Sequence, residues 1–255
     1  MINIKFRFIA ALTAAALLAT ACGGGSSSNN PPPNPDPDPD DGTGGITGTG
    51  VAVGPITGFS SVIVNGVTYD TSSATFTQDG VSATQSDFAV GQVVLDTATI
   101  DDSTSGTADT VTFDDNVDGP VTSVDDVARS FIVLGQTVFV SATTSFDDSC
   151  PATLNELLEV AAVEVSGPVR ADGSIEASRI ECKAVAGELE VMGLVSNLNA
   201  GAMTFEINAL VIDYSAAVLD NFPSAGVINN GDPVEAKGIA LGGDGELVAT
   251  RVEYK

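Results

Sequence analysis

Histidine and tryptophan are missing from the 255 residues, cysteine occurs three times, and nine Lys and Arg stand against 34 Asp and Glu. Without histidine there is no Ser-His-Asp or Cys-His catalysis, no imidazole acid–base chemistry and no His-ligated zinc. A formal net charge of -25 disfavours a nucleic-acid partner, whose backbone is gripped by clustered Lys and Arg. The lack of Trp weakens stacking on sugars. Nothing matches a P-loop, a nucleotide-binding glycine fingerprint or a nucleophile elbow. What is present is enough chain for one or two ordinary domains with a real core.

The first 21 residues read as a leader. Lys5 and Arg7 precede the apolar run Phe8–Leu18, which is too short to span a bilayer as a stable helix. Ala19-Thr20-Ala21-Cys22 and a Gly/Ser tract follow at once. This arrangement resembles the lipobox of bacterial lipoproteins, with Ala19 where that pattern usually has Leu. The resemblance implies cleavage before Cys22, acylation there with palmitate-type chains, and sorting to the outer membrane, facing the periplasm or the cell surface. Ala19-Thr20-Ala21 also fits ordinary secretory cleavage, which would release a soluble protein instead. Removing residues 1–21 takes away Lys5 and Arg7 but no acid, leaving seven basic and 34 acidic residues, a net of -27. Residues 22–50 hold the candidate lipidated Cys and then a Gly/Ser/Pro/Asp stretch with almost no apolar residue, expected to be a disordered tether.

Beyond the tether, one order of signals occurs three times. Gly54, Gly119 and Gly193 open the units, 65 and 74 residues apart. Phe76, Phe146 and Tyr214 are 70 and 68 apart, and Gly91, Ala161 and Gly231 are 70 apart each time. Such periodicity marks internal repeats. Each unit reads as five short strands rich in Val, Ile, Thr and Phe, broken by turns such as Asn65-Gly66, Asp172-Gly173 and Asp244-Gly245. In the second unit, Thr153 and Glu156 form a capping-box pattern between the third and fourth strands, with Leu154, Leu157 and Leu158 on one helical face. Three strands, a helix or turn and two more strands is the order of an OB-type barrel. The expected fold is all-β: three tandem small five-stranded OB-like β-barrels after a disordered tether. Their expected spans are 51–117, 118–186 and 187–255. The recurring Phe76, Phe146 and Tyr214 are expected in the barrel cores.

The segments GPITGFSSVIVNGVTYDTSSAT, VGQVV and GPVTSV…FIVLGQTV resemble the domain-of-unknown-function 5666 family of bacterial exported proteins. The resemblance covers residues 54–182 well and the third unit loosely. It implies export and fold and brings no catalytic residues. Ala161 departs from the Gly usual at the start of the fourth strand, so the second unit is expected to begin that strand differently.

Cys150 and Cys182 both fall in the second unit, and in an oxidising compartment they are expected to pair; two buried thiols are the alternative. The acidic doublets Asp101-Asp102, Asp114-Asp115 with Asp118, Asp125-Asp126 and Asp147-Asp148 are expected to be solvated charge on turns. No catalytic residue, cofactor site or metal site is assigned. A weak calcium site near Asp114, Asp115 and Asp118 is the alternative there, since hard cations take several oxygens.

These readings favour a non-enzymatic, membrane-anchored envelope lipoprotein whose barrels offer a binding or scaffolding surface. Its partner would be the membrane through the anchor, together with an unidentified envelope protein or glycan. The first alternative is a weak cation-binding or salt-adapted structural envelope protein. The second is a hydrolase working with carboxylates alone, in which two acids flank the bond.

Overall fold

Period-two alternation of apolar and polar residues becomes strand after strand. The computed structural model describes residues 48–59, 61–224 and 226–255. The leader, Cys22 and the tether as far as residue 47 lie outside the described residues. The described residues all fall in one compact unit.

The first repeat has β1 (Gly48–Phe59), β2 (Val62–Val64), β3 (Val67–Asp70), β4 (Thr75–Gln78), β5 (Val81–Ala83), β6 (Val93–Ile100) and β7 (Ser105–Phe113). β1 pairs antiparallel with β2, and β2 with β3; β3 and β4 run parallel to β7. β7 pairs antiparallel with β6, and β6 with β1. The circuit returns to its start, so these strands form a closed five-stranded barrel whose third strand is interrupted between β3 and β4. Closure removes the long edges from the sheet and leaves only the three-residue β5, paired to β4, on its outside. The β2–β3 turn is Asn65-Gly66 with φ of 52° and 82°, the doubly positive geometry of a type I′ hairpin.

The second repeat has β8 (Val117–Gly119), β9 (Val121–Asp125), β10 (Ser130–Val133), β11 (Gln136–Phe146), β12 (Ala162–Ser166) and β13 (Ile175–Lys183). Its pairings follow the same order: β9 with β10, β10 with β11, β11 parallel to β13, β13 with β12, and β12 with β8. Pro120, with no N–H to give to a ladder, separates β8 from β9. The third repeat has β14 (Leu189–Leu194), β15 (Ser196–Asn199), β16 (Thr204–Ile207), β17 (Leu210–Asp213), β18 (Val218–Asp220), β19 (Pro233–Leu241) and β20 (Leu247–Tyr254). There β15 pairs with β16 and β16 with β17, while β17 and β18 run parallel to β20. β20 pairs with β19, and β19 with β14. β8 has two partners: it pairs with β12 of its own repeat and with β14 of the next. The second and third repeats are therefore one continuous 13-stranded sheet.

The cores follow this division. Phe88 sits edge-on to Phe76 and Phe113, with centroids 5.4 and 6.4 Å apart, inside the first repeat's own apolar cluster. The second and third repeats share one cluster, which includes Phe131, Ile180, Val191, Phe205 and Leu247. Phe76 is buried, and Tyr214 is half-buried against Phe205 with centroids 5.6 Å apart. Phe146 is not a core residue: it is 38% exposed. Between Val140 and Ser145 the chain takes five steps along β11 against two along β13, from Ala177 to Arg179. Phe146 lies beyond this irregularity, at the end of β11.

The connection in the second repeat is a short 3₁₀ turn, Leu154–Glu159, at whose start the Thr153 N–H donates to Glu156 Oε2 at 3.1 Å. Leu157 is buried and Leu154 half-buried, but Leu158 is exposed. Gly91 and Gly231 have φ of 97° and 92°, and their N–H groups bond to Ile56 O and Val195 O. Ala161, lacking that freedom, instead bonds to Lys183 O, so the second repeat does enter its fourth strand differently.

Asp96 faces inward from β6 with both oxygens buried and without partners. Burial pushes its carboxyl up to about 6, and the Tyr69 phenol is raised by its own burial and then by the Asp96 charge. A raised acid pKa means that the folded state holds its proton longer. Stability is therefore full below about pH 4 and falls, by roughly 3 kcal/mol, as pH climbs to about 6 and above. Asp96→Asn should match the wild type near pH 4 and exceed it in melting temperature at pH 7. Parallel melting profiles across that range would contradict this placement.

Candidate functional site

The charged side chains of the sequence converge where the repeats meet. After β7, Asp114-Asp115-Asn116 leads into β8, and Asn116 is bonded in three directions. Its N–H donates to Val165 O at 3.0 Å, its carbonyl accepts from Met192 N–H at 2.8 Å, and its Oδ1 accepts from Gly167 N–H at 2.7 Å. One residue thus links the first repeat to both others. More contacts join the first repeat to the second: Val93 N–H donates to Ser166 Oγ at 2.7 Å, and Ser178 Oγ donates to Gly91 O at 2.5 Å.

On the face of the shared sheet opposite the apolar core, register sets Glu164 (β12) opposite Asp118 (β8), Asp118 opposite Glu190 (β14), and Glu190 opposite Lys237 (β19). All four are buried, and so is Glu235 beside them. Like charges directly opposite in a sheet repel. Three lysines compensate. Lys183 Nζ bonds Asp118 and lies 2.8 Å from Glu164 Oε2. Lys237 Nζ is 2.8 Å from Glu190 Oε2 and 3.5 Å from Glu235 Oε2. Lys255 Nζ is 3.1 Å from Glu235 Oε2 and 3.3 Å from Asp114 Oδ2. Asp115 and the half-buried Asp79, from the β4–β5 turn, close over this row from the first repeat; Asp115 N–H donates to Asp79 Oδ1 at 3.4 Å.

Seven carboxyl groups meet three ammonium groups here, and the imbalance shows in their proton affinities. Burial, followed by the charges of Glu164, Asp79 and Glu190, holds Asp115 well above the carboxylate range. Burial also raises Asp79, to about 6. Burial raises Asp118, partly offset by Lys183. Glu190 is raised by burial and by Glu235. For Glu235 the burial effect is outweighed by a hydrogen bond from Glu190 and by Lys237 and Lys255, which leaves it below its usual value. Burial would lower Lys183 and Lys237, but their carboxylate partners overcome it and raise both. Asp115 Oδ1, Asp118 Oδ1, Glu190 Oε1 and Glu235 Oε1 are buried without a hydrogen-bond partner. Among the described residues, Asp115, Asp118 and Glu164 are the group able to hold a metal ion, with one ligand atom from each all within 4.8 Å of one another.

The acidic doublets therefore divide. Asp101, Asp102, Asp125, Asp126 and Asp148 are exposed, as turn charges should be, and Asp147 pairs with Arg179 at 3.1 Å. Asp115 and Asp118 are not solvated: they are 2% and 6% exposed, because the first repeat seats on the shared sheet just where they lie. Sequence reasoning missed Glu164, Glu190, Glu235, Lys183, Lys237 and Lys255. The usable signal was an acid in mid-strand between apolar neighbours, as in Val163-Glu164-Val165 and Val234-Glu235-Ala236.

Cys150, just past β11, and Cys182, on β13, are joined by a disulfide, with sulfurs 2.12 Å and Cα atoms 4.9 Å apart. A cleft of about 420 Å³ lies between the second and third repeats, lined by Val169, Arg170, Ile175, Met192, Leu194 and Pro233 among others, and reaches the junction at Asn116 and Lys255.

Two predictions follow from this geometry. Lys237→Met leaves Glu190 and Glu235 facing each other and should cost about 3–5 kcal/mol, as removal of one partner from a buried ion pair does. Adding Glu190→Gln should recover part of that loss in denaturant melts, and a Lys237→Met protein as stable as the wild type would contradict the junction. Cys150→Ser/Cys182→Ser should lower stability by about 3 kcal/mol by freeing the intervening loop. Titration of the native, unreduced protein that finds two reactive thiols would contradict the bridge.

Residues 118–181 and 192–253 each match the model of the domain of unknown function DUF5666. The matches fall on the second and third repeats, whereas the resemblance seen in the sequence was strongest over the first and second. The chain matches no curated protein. Two consecutive stretches of the chain are thus similar to the DUF5666 domain.

Proposed function

We propose that the chain is a set of three tandem OB-like barrels serving as a non-enzymatic binding or scaffolding surface in the cell envelope. It is held to the outer membrane by acyl chains on Cys22 and carried on the tether that follows. The repeated order of pairings supports three barrels, the second and third with a first strand split in two. Among the described residues no helix is long and apolar enough to cross a membrane. Attachment in this reading rests on the lipid alone.

The observation that carries the binding role is the sharing of β8 between two repeats, which sets the cleft between them in a fixed register. A surface held in place before contact loses little conformational freedom on binding. Its walls are mostly apolar, and Leu194 is 62% exposed. The occupant this favours is a segment of another envelope protein or a glycan. The second reading, a cation-binding structural protein, is favoured by the buried carboxylates of the junction.

Cys22→Ser should move the protein from the membrane fraction to the soluble fraction and remove the acyl mass from the intact protein. A wild type already soluble, beginning at an unmodified Cys22, would favour secretion after Ala21. Pull-downs from detergent-solubilised envelopes should recover a partner with the wild type and lose it with Leu194→Asp. A partner retained equally by both would place binding elsewhere.

A further inference from the structure

Asp118 Oδ2 and Glu164 Oε2 face Lys183, while Asp118 Oδ1 points to no donor. Asp115, from the first repeat, is 2% exposed, and its Oδ1 is also without a partner. A buried acceptor left unmatched costs stability, so such an atom in a folded protein calls for a ligand. Ligand atoms of Asp115, Asp118 and Glu164 lie within 4.8 Å of one another. Oxygens on opposite sides of a calcium ion, each at about 2.3–2.6 Å, are separated by about 5 Å, so one ion can reach all three.

We propose that Asp115, Asp118 and Glu164 bind one divalent hard cation of the calcium class, clamping the first repeat onto the shared sheet of the other two. The donor set is oxygen only, which suits calcium, magnesium or manganese and not zinc, whose structural sites use sulfur and nitrogen. Calcium suits it best, because it accepts irregular sets of six to eight oxygens, whereas magnesium demands a strict octahedron and keeps its waters. Charge agrees. The three carboxylates with Lys183 carry a net of two negative charges, which a divalent ion cancels. An open cleft lined by Asp79, Glu188, Asp220 and Lys237, among others, borders the junction at Asp79 and Lys237. The clamp does not depend on the binding role proposed above, since it concerns how the repeats are joined.

The test uses the full chain, stripped with chelator and returned to calcium, magnesium or buffer alone. Calorimetric titration should find one saturable calcium site in the wild type, with a rise in melting temperature of several degrees that saturates with it. Asp115→Asn should abolish both, while Asp101→Asn, on an exposed turn, should keep both. If Asp115→Asn does not fold, Glu164→Gln carries the same comparison. A wild type whose melting temperature calcium leaves unmoved would overturn the proposal, as would an Asp115→Asn protein that responds like the wild type. In either case the junction would hold its excess charge with protons instead.

Discussion

Asp118 stands in a ladder row with a carboxylate on either side, Glu164 on one neighbouring strand and Glu190 on the other. In water these groups would repel one another and separate; here the backbone pairing of β8 with both β12 and β14 holds them together. The rest of the molecule accommodates that row. Lys183 and Lys237 reach it from the fifth strand of the second repeat and the fourth strand of the third, and Lys255 arrives from the C-terminus. Asn116 then ties the covering segment to both other repeats through its backbone N–H and C=O and its side-chain Oδ1. Three of the nine basic residues in the chain are used at this one junction.

Charge placed there is costly, and apolar residues of similar size would often stabilise a sheet face better. Its value lies in selection. An apolar face would accept the first repeat at many angles, whereas this face meets it at set points, Lys255 on Asp114 and the three Asn116 bonds among them. Continuous pairing through β8 and a common apolar cluster already join the second and third repeats. The first repeat has its own core, so its attachment depends on the polar junction and on the Val93–Ser166 and Ser178–Gly91 bonds. That division also fits the family matches, which fall on the two fused repeats.

The repeats and their strands were legible because their signals are local. Asn65-Gly66 is a turn wherever it occurs, and the 70-residue spacing of Gly91, Ala161 and Gly231 needs no knowledge of contacts. Ala161, read as a departure from Gly, does mark a different bonding pattern. Phe146 was misplaced because its spacing reports its place at the end of β11 and not whether anything packs over that end. The junction was hidden for a different reason. Asp118, Glu164 and Glu190 become neighbours only through strand register between distant segments, and no spacing in the chain reports that. The doublet at Asp114-Asp115 looked like other acidic turns because exposure depends on what a neighbouring repeat covers.

The central claim is that the buried charged row joins the first repeat, which has its own core, to the fused second and third repeats as one cooperative body. Differential scanning calorimetry of the wild-type chain tests it most directly, because calorimetric and van't Hoff enthalpies agree only when the unfolding unit is the whole. The account predicts a single transition with the two enthalpies equal. Separate transitions, with the first repeat melting apart from the second and third, would contradict it.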